Sequence, residues 1–282
     1  MVALRQPEKP LAQHGYARLT VEIVAGQSAV TSASSATPMK LLTPRARGQS
    51  VWACTSSFGG GLVAGDETRL ALQLRENARC YLGTQASTKI YRNPGLQSCS
   101  HHTEARLAEN SLLVFAPDPV QAFAGSSYSQ RQEFHLAENS SLVLLDWFSS
   151  GRVARGERWQ FSRFQSRNEV FLAGERFFLD SLLLDATNPL LTSSHVTGRF
   201  NCFAMLLMLG TDLQTASQNL LSHIATQPVK RTAPLVVSAS PIRNGVLLRL
   251  AAESVELAAK ELHGHLQFLP ALLGDDPWAR KW

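Results

Sequence analysis

Leu74-Arg-Glu-Asn-Ala-Arg-Cys-Tyr-Leu82, Leu107-Ala-Glu-Asn-Ser-Leu-Leu-Val-Phe115 and Leu136-Ala-Glu-Asn-Ser-Ser-Leu-Val-Leu144 are three versions of one pattern. In each, a strand ends at leucine, Glu-Asn supplies a turn, and a second strand begins. Asparagine suits the turn because it tolerates positive φ. Asn77, Asn110 and Asn139 stand 33 and 29 residues apart. Self-similarity at that period predicts stacked β units that bury a shared interior. Chance recurrence of Glu-Asn turns is the alternative, and the matching flanks favour the repeat.

Working outward, residues 1–15 read as a flexible N-terminal tail, polar and proline-containing. Leu19, Val21 and Ile23 alternate and predict a first strand. Ser28–Thr37, rich in Ser, Thr and Ala, reads as a turn or an exposed loop. Strand-like segments follow at Arg158–Phe164, Glu169–Leu172 and Phe177–Leu184. The period then changes. Thr211-Asp-Leu-Gln214 has the form of a capping box, with Leu213, Ala216, Leu220 and Ile224 at helical spacing. Val255, Ala259, Leu262, Leu266 and Leu269 form a second helical stripe that Pro270 is expected to stop. Between them, Leu235-Val-Val and Val246–Leu250 predict strands on either side of Asn244-Gly245. The expected fold is mainly β: one layered, stacked-sheet domain resembling a β-helix over residues 16–282, with two C-terminal helices near 211–225 and 254–269.

Composition narrows the function classes. The chain has 282 residues, 44% hydrophobic and 17% charged, enough for a large core. Its net charge of +5 is scattered, with no basic run interleaved with aromatics, which argues against nucleic acid. The apolar run Phe200–Gly210 is too short to span a bilayer. Cys54, Cys80, Cys99 and Cys202 form no CxxC and read as reduced, buried thiols. A soluble, cytoplasmic protein is the expectation.

Phe58-Gly-Gly-Gly-Leu-Val-Ala-Gly-Asp66 is the densest glycine cluster. A P-loop needs Lys and Ser/Thr after its last glycine, and here Asp66 and Glu67 follow. A Rossmann loop needs a helix next, and Leu70-Ala-Leu-Gln-Leu74 alternates as a strand. The remaining reading is a glycine turn where backbones approach closely. Asp66, Asp146 and Glu157 each sit beside glycine or an apolar strand. A carboxylate near a core is paired or holds a cation. Arg152, Arg155 and Lys89 are available for pairing. A β-rich hydrolase using Asp146 and Glu157 as an acid/base pair is the enzymatic alternative. No G-x-S-x-G or H-E-x-x-H occurs. Cys99-Ser-His101-His102 is the one soft-ligand cluster and reads as a surface turn, since adjacent histidines on a strand face opposite ways.

The glycine segment, Thr84-Gln-Ala-Ser-Thr-Lys-Ile-Tyr-Arg92, and Asp146-Trp147 with Gly151-Arg-Val-Ala-Arg-Gly-Glu157 together resemble the urease accessory protein family UreD, also called UreH. Met39–Pro44 and Pro117-Asp-Pro-Val-Gln-Ala-Phe123 fit the same pattern. Thr68 departs from it, standing where a basic residue is common. The resemblance implies a non-catalytic scaffold in urease maturation, with no tightly bound cofactor and with nickel in transit. It implies binding to the urease apoprotein and to UreF, with the GTPase UreG reached through UreF. Two copies in a larger accessory complex are implied, with no nucleic acid and no membrane. By motif, Asp66 is its first candidate for a nickel path, then Ser87 and Thr88, then Asp146 and Glu157. Hard oxygen donors hold nickel weakly, which suits transit.

Overall fold

A computed structural model describes residues 14–45, 48–93, 95 and 97–279. The expected tail, residues 1–15, falls outside these except for its last two positions, which open strand β1 (His14–Val24). Ser28–Thr37 is not a loop: β2 (Gln27–Ala36) pairs antiparallel with β1 as a sheet edge. Its small hydroxyl-bearing residues suit an exposed edge, where no neighbour demands apolar packing. β3 (Met39–Leu42) then leads into the repeat region.

The chain next winds into a β-solenoid of about four turns. The first turn is β4 (Val51–Ser57), β5 (Gly61–Leu62) and β6 (Glu67–Leu74). The second is β7 (Arg79–Thr84), β8 (Thr88–Ile90) and β9 (Cys99–Leu107). The third is β10 (Leu112–Phe115), β11 (Val120–Ala122) and β12 (Ser127–Leu136). The fourth runs from β13 (Ser141–Ser149) to β14 (Arg163–Leu172). Equivalent strands stack in parallel. β6, β9, β12 and β14 form one face, β4, β7, β10 and β13 the second, and β5, β8 and β11 a short third face that ends on β13.

The Glu-Asn turns link the first two faces. Each closes through the same backbone bond: Ala78 N–H to Arg75 C=O, Ser111 to Ala108, and Ser140 to Ala137, at 3.1–3.2 Å. Asn77 and Asn110 take φ of 62° and 56°, the left-handed region that asparagine enters readily. The Asn77 N–H reaches the Glu109 carbonyl of the next coil at 3.0 Å, so the turns stack as the strands do.

Antiparallel strands extend both sheets: β15 (Glu175–Asp185) on β14, and β16 (Cys202–Leu209), β18 (Gly245–Ala252) and β17 (Leu235–Ile242) outward from β13. Near the Glu-Asn turns the interior is apolar: Leu72, Leu74, Leu107, Phe134 and Leu136 meet Leu113, Leu142 and Leu144. Fully burying each such side chain contributes roughly 1.5–3 kcal/mol. The other side of the second sheet, with Val143, Leu206 and Leu248, carries the C-terminal helices through Leu220, Leu262 and Leu266.

The helices are α1 (Gln214–Ala225), α2 (Val255–His265) and a short α3 (Leu269–Leu273). Thr211–Leu213 forms a 3-10 turn, and no side chain caps α1, so the Thr-x-x-Gln capping box is not made. Pro270 does not end the second helix. It occupies the first turn of α3, where its missing N–H has no partner to lose. Among the described residues no helix is long and apolar enough to cross a membrane. All four cysteines are free, with Cys80, Cys99 and Cys202 buried.

Candidate functional site

Along the first face, inward side chains change character from one strand end to the other. β12 turns Tyr128, Gln130 and Gln132 inward before Phe134 and Leu136. β14 turns in Ser166 and Asn168 before Val170, and β9 turns in His101 and Thr103 before Ala105 and Leu107. Register aligns these polar residues into rungs. Thr68, His101, Gln130 and Ser166 are successive partners, and Thr103, Gln132 and Asn168 form the next rung. Facing them, the second-face strands end inward at Thr55, Thr84 and Asp146. Between lies a cavity of about 230 Å³, room for several waters.

Two acids line this cavity: Asp118, whose Oδ2 accepts from Thr84 Oγ1 at 2.9 Å, and Asp146. Asp146 Oδ1 accepts from Gln130 Nε2 at 2.7 Å, and its Oδ2 from Ser166 Oγ at 2.8 Å and Asn168 Nδ2 at 2.7 Å. Gln132 donates in turn to Asn168 Oδ1 at 2.7 Å. All three donors to the carboxylate are neutral. Burial pushes the Asp146 carboxyl above the usual carboxylate range, and the three hydrogen bonds oppose that shift. The side chain keeps accessible surface where it faces the cavity, although protein withdraws it from bulk water.

His101, on β9, belongs to the wall that Asp146 faces. Its Nδ1 is 2.8 Å from Thr68 Oγ1, and its Nε2 is 3.0 Å from Thr103 Oγ1. Burial, with His102 next to it in sequence, lowers its pKa to about 4, so the ring is neutral at neutral pH. The Cys99–His102 segment is therefore strand β9, not a surface turn. Alternation sends His101 inward and His102 to the outer face, where its Nε2 lies 3.4 Å from Glu133.

Of the five residues singled out by sequence, Ser87, Thr88 and Asp146 line this one cavity. Asp66 does not reach it. Its Oδ2 accepts the Val63 N–H at 2.9 Å and its own N–H meets the Val63 carbonyl at 3.1 Å, closing the glycine turn. Gly59, Gly60 and Gly65 take positive φ there. Gly61 is a close approach: a Cβ would lie 2.3 Å from the Lys89 carbonyl oxygen of the next coil. Glu157 lines a separate surface pocket with Arg92 and Phe123. Arg152 grips it with two nitrogens, and the Ala124 N–H donates to it at 3.2 Å. The Arg152 hydrogen bonds lower its pKa. Asp146 and Glu157 thus face different spaces and form no acid/base pair. Trp147 donates to the Pro117 carbonyl, and Trp159 packs among Phe148, Phe161 and Phe203.

Gln130 and Gln132 escaped sequence reasoning, which placed His101 in a surface turn and noted Thr68 only as a departure from the family pattern. The available signal was strand alternation in Ser127–Leu136 that placed two glutamines in phase with Tyr128 and Phe134. Three of the resembling motifs, Phe58–Asp66, Thr84–Arg92 and Pro117–Phe123, occupy one position on successive coils. Their strands β5, β8 and β11 stack as the third face, and the end of β13, just past Asp146-Trp147, completes the stack.

Comparison with known proteins shows the family. The family model described as UreD urease accessory protein matches residues 13–282. The urease accessory protein UreD of Sorangium cellulosum (strain So ce56) is 45% identical over 269 residues, covering 95% of this chain and 84% of the relative. That of Anaeromyxobacter sp. (strain Fw109-5) is 39% identical, covering 94% and 89%. Urease accessory protein D of Oryza sativa subsp. japonica is 31% identical, covering 98% and 97%. With a match along almost its whole length and relatives from bacteria to plants, the chain belongs to the UreD urease accessory protein family.

Proposed function

We propose that this chain serves urease maturation as a scaffold that passes nickel through its solenoid interior. Asp146 carries the reading. A carboxylate withdrawn from water and met by neutral donors leaves its negative charge for a cation to balance. It sits in a cavity large enough for a hydrated path. Ser87 and Thr88 line the same space with oxygen donors that bind nickel weakly enough to release it. Asp66 and Glu157 hold outer turns on this reading, and the route passes them by.

The chain binds urease apoprotein on one side and UreF on the other, and through UreF it receives nickel from UreG. It does so in the cytoplasm, as one unit over residues 16–282, in a complex with two copies. The C-terminal helices are the proposed UreF-facing region. Leu220, Leu262 and Leu266 are core there, so the contact falls to the outer helical residues and the groove between α1 and α2. The test is urease activation in cells carrying the urease operon with only the gene for this chain removed and then restored. Nickel and activity should vanish and return, and the chain should co-purify with UreF. Fully active urease without the chain would overturn the proposal.

A further inference from the structure

We propose that His101 is the nitrogen contact by which the interior cavity selects late first-row divalent ions such as nickel over magnesium and calcium. The inference rests on the reading that metal passes through this cavity.

The hydrogen bonds fix how the ring is presented. Thr68 Oγ1 lies 3.1 Å from the Ser100 carbonyl, to which it donates its one proton. With its proton on that carbonyl, Thr68 accepts from His101, which selects the tautomer with Nδ1 protonated and the lone pair on Nε2. That is the arrangement of a metal-binding histidine, oriented through its far N–H by a hydrogen-bond partner.

Nε2 is met by the Thr103 hydroxyl at 3.0 Å. A neutral hydrogen bond of this kind is worth only about 1 kcal/mol net, so a metal can displace it and it can re-form when the metal leaves. His101 and Gln130 are register partners on adjacent strands, and Gln130 holds Asp146. The carboxylate thus reaches across the cavity from β13 to the register partner of the imidazole, and both groups line the same space. Carboxylate, amide and hydroxyl oxygens alone would favour magnesium or calcium, whereas imidazole shifts preference to nickel, cobalt, copper and zinc.

The test is equilibrium dialysis of the full-length chain against nickel, with and without excess magnesium, for wild type, His101→Gln, Thr103→Val and Asp146→Asn. Nickel-edge X-ray absorption on the bound metal and thermal unfolding accompany it. His101→Gln should weaken nickel binding at least tenfold, leave magnesium binding unchanged and remove the imidazole scattering. Thr103→Val, which frees Nε2, should bind nickel more tightly and release it more slowly. Asp146→Asn should weaken both metals. Unchanged nickel affinity and scattering in His101→Gln, with nickel lost in Asp146→Asn, would overturn the role of His101 and leave the passage reading standing. Unchanged nickel binding in both variants would overturn both. Should His101→Gln fail to fold, unaltered nickel release by Thr103→Val overturns the inference on its own.

Discussion

Glu169 shows how differently one residue type is used within this molecule. It lies on the outer face of β14, yet its side chain is only 3% exposed because arginines cover it. Arg167 donates to both its oxygens at 2.9 and 3.0 Å, Arg131 lies at 3.2 Å and Arg176 at 3.3 Å. The Arg167 hydrogen bonds lead in lowering its pKa to about 2. A carboxylate with a depressed folded pKa stabilises the fold above its unfolded pKa, and that stability is lost as pH falls through the folded value. Glu169→Gln should therefore cost about 2 kcal/mol at pH 7, an allowance reduced for the half-exposed arginines. The difference should shrink between pH 4.5 and 2, as urea unfolding across that range would show. Asp146 has the opposite surroundings, three neutral donors and a raised pKa. Sequence could not separate these cases because register between strands decides them: Gln130, Ser166 and Asn168 reach Asp146 from strands 16 to 22 residues away, and Arg131 reaches Glu169 from β12.

At the scale of elements, the Glu-Asn turn is where sequence spoke most directly. Its local hydrogen bond, its asparagine and its flanking strands all lie within nine residues, so pattern and structure coincide. Asn77 and Asn110 occupy the left-handed region and Asn139 does not. Replacing either of the first two by alanine should cost about 1 kcal/mol, lowering the melting midpoint by roughly 2–4 °C in a chain this size. Asn139→Ala should cost less, and glycine at 77 or 110 should be tolerated. Equal losses at all three positions would contradict this account of the turn. The helices were legible as apolar stripes, with α1 ending at Ala225 and α2 starting beside Ser254 as expected, but the start of α1 and the end of α2 were not. Helix α1 begins after a 3-10 turn whose Asp212 is engaged elsewhere, with its N–H 3.2 Å from Ser141 Oγ and its carboxylate 3.2 Å from Arg79. Tertiary partners there replace the local cap that Thr211 and Gln214 suggested.

Across the whole molecule, the solenoid places apolar packing at its Glu-Asn end and a polar cavity at the corner where the family motifs stack. The repeat announced stacked coils, and the motifs announced the family. The cavity itself was hidden, since it depends on register between coils: His101 opposite Gln130, and Gln130 opposite Ser166. The family resemblance ranked Asp66 first by motif, and in the structure its carboxylate accepts the Val63 N–H and closes the glycine turn. The central claim is that metal travels through the cavity rather than past the outer acids. Its most direct test is the nickel content of urease matured with Asp146→Asn, Asp66→Ala or Glu157→Gln in place of the wild-type chain, at matched yields of the assembled complex. The account expects Asp146→Asn to lower nickel per urease several-fold while Asp66→Ala and Glu157→Gln stay near wild type. Full nickel loading with Asp146→Asn, or loss confined to Asp66→Ala, would contradict it.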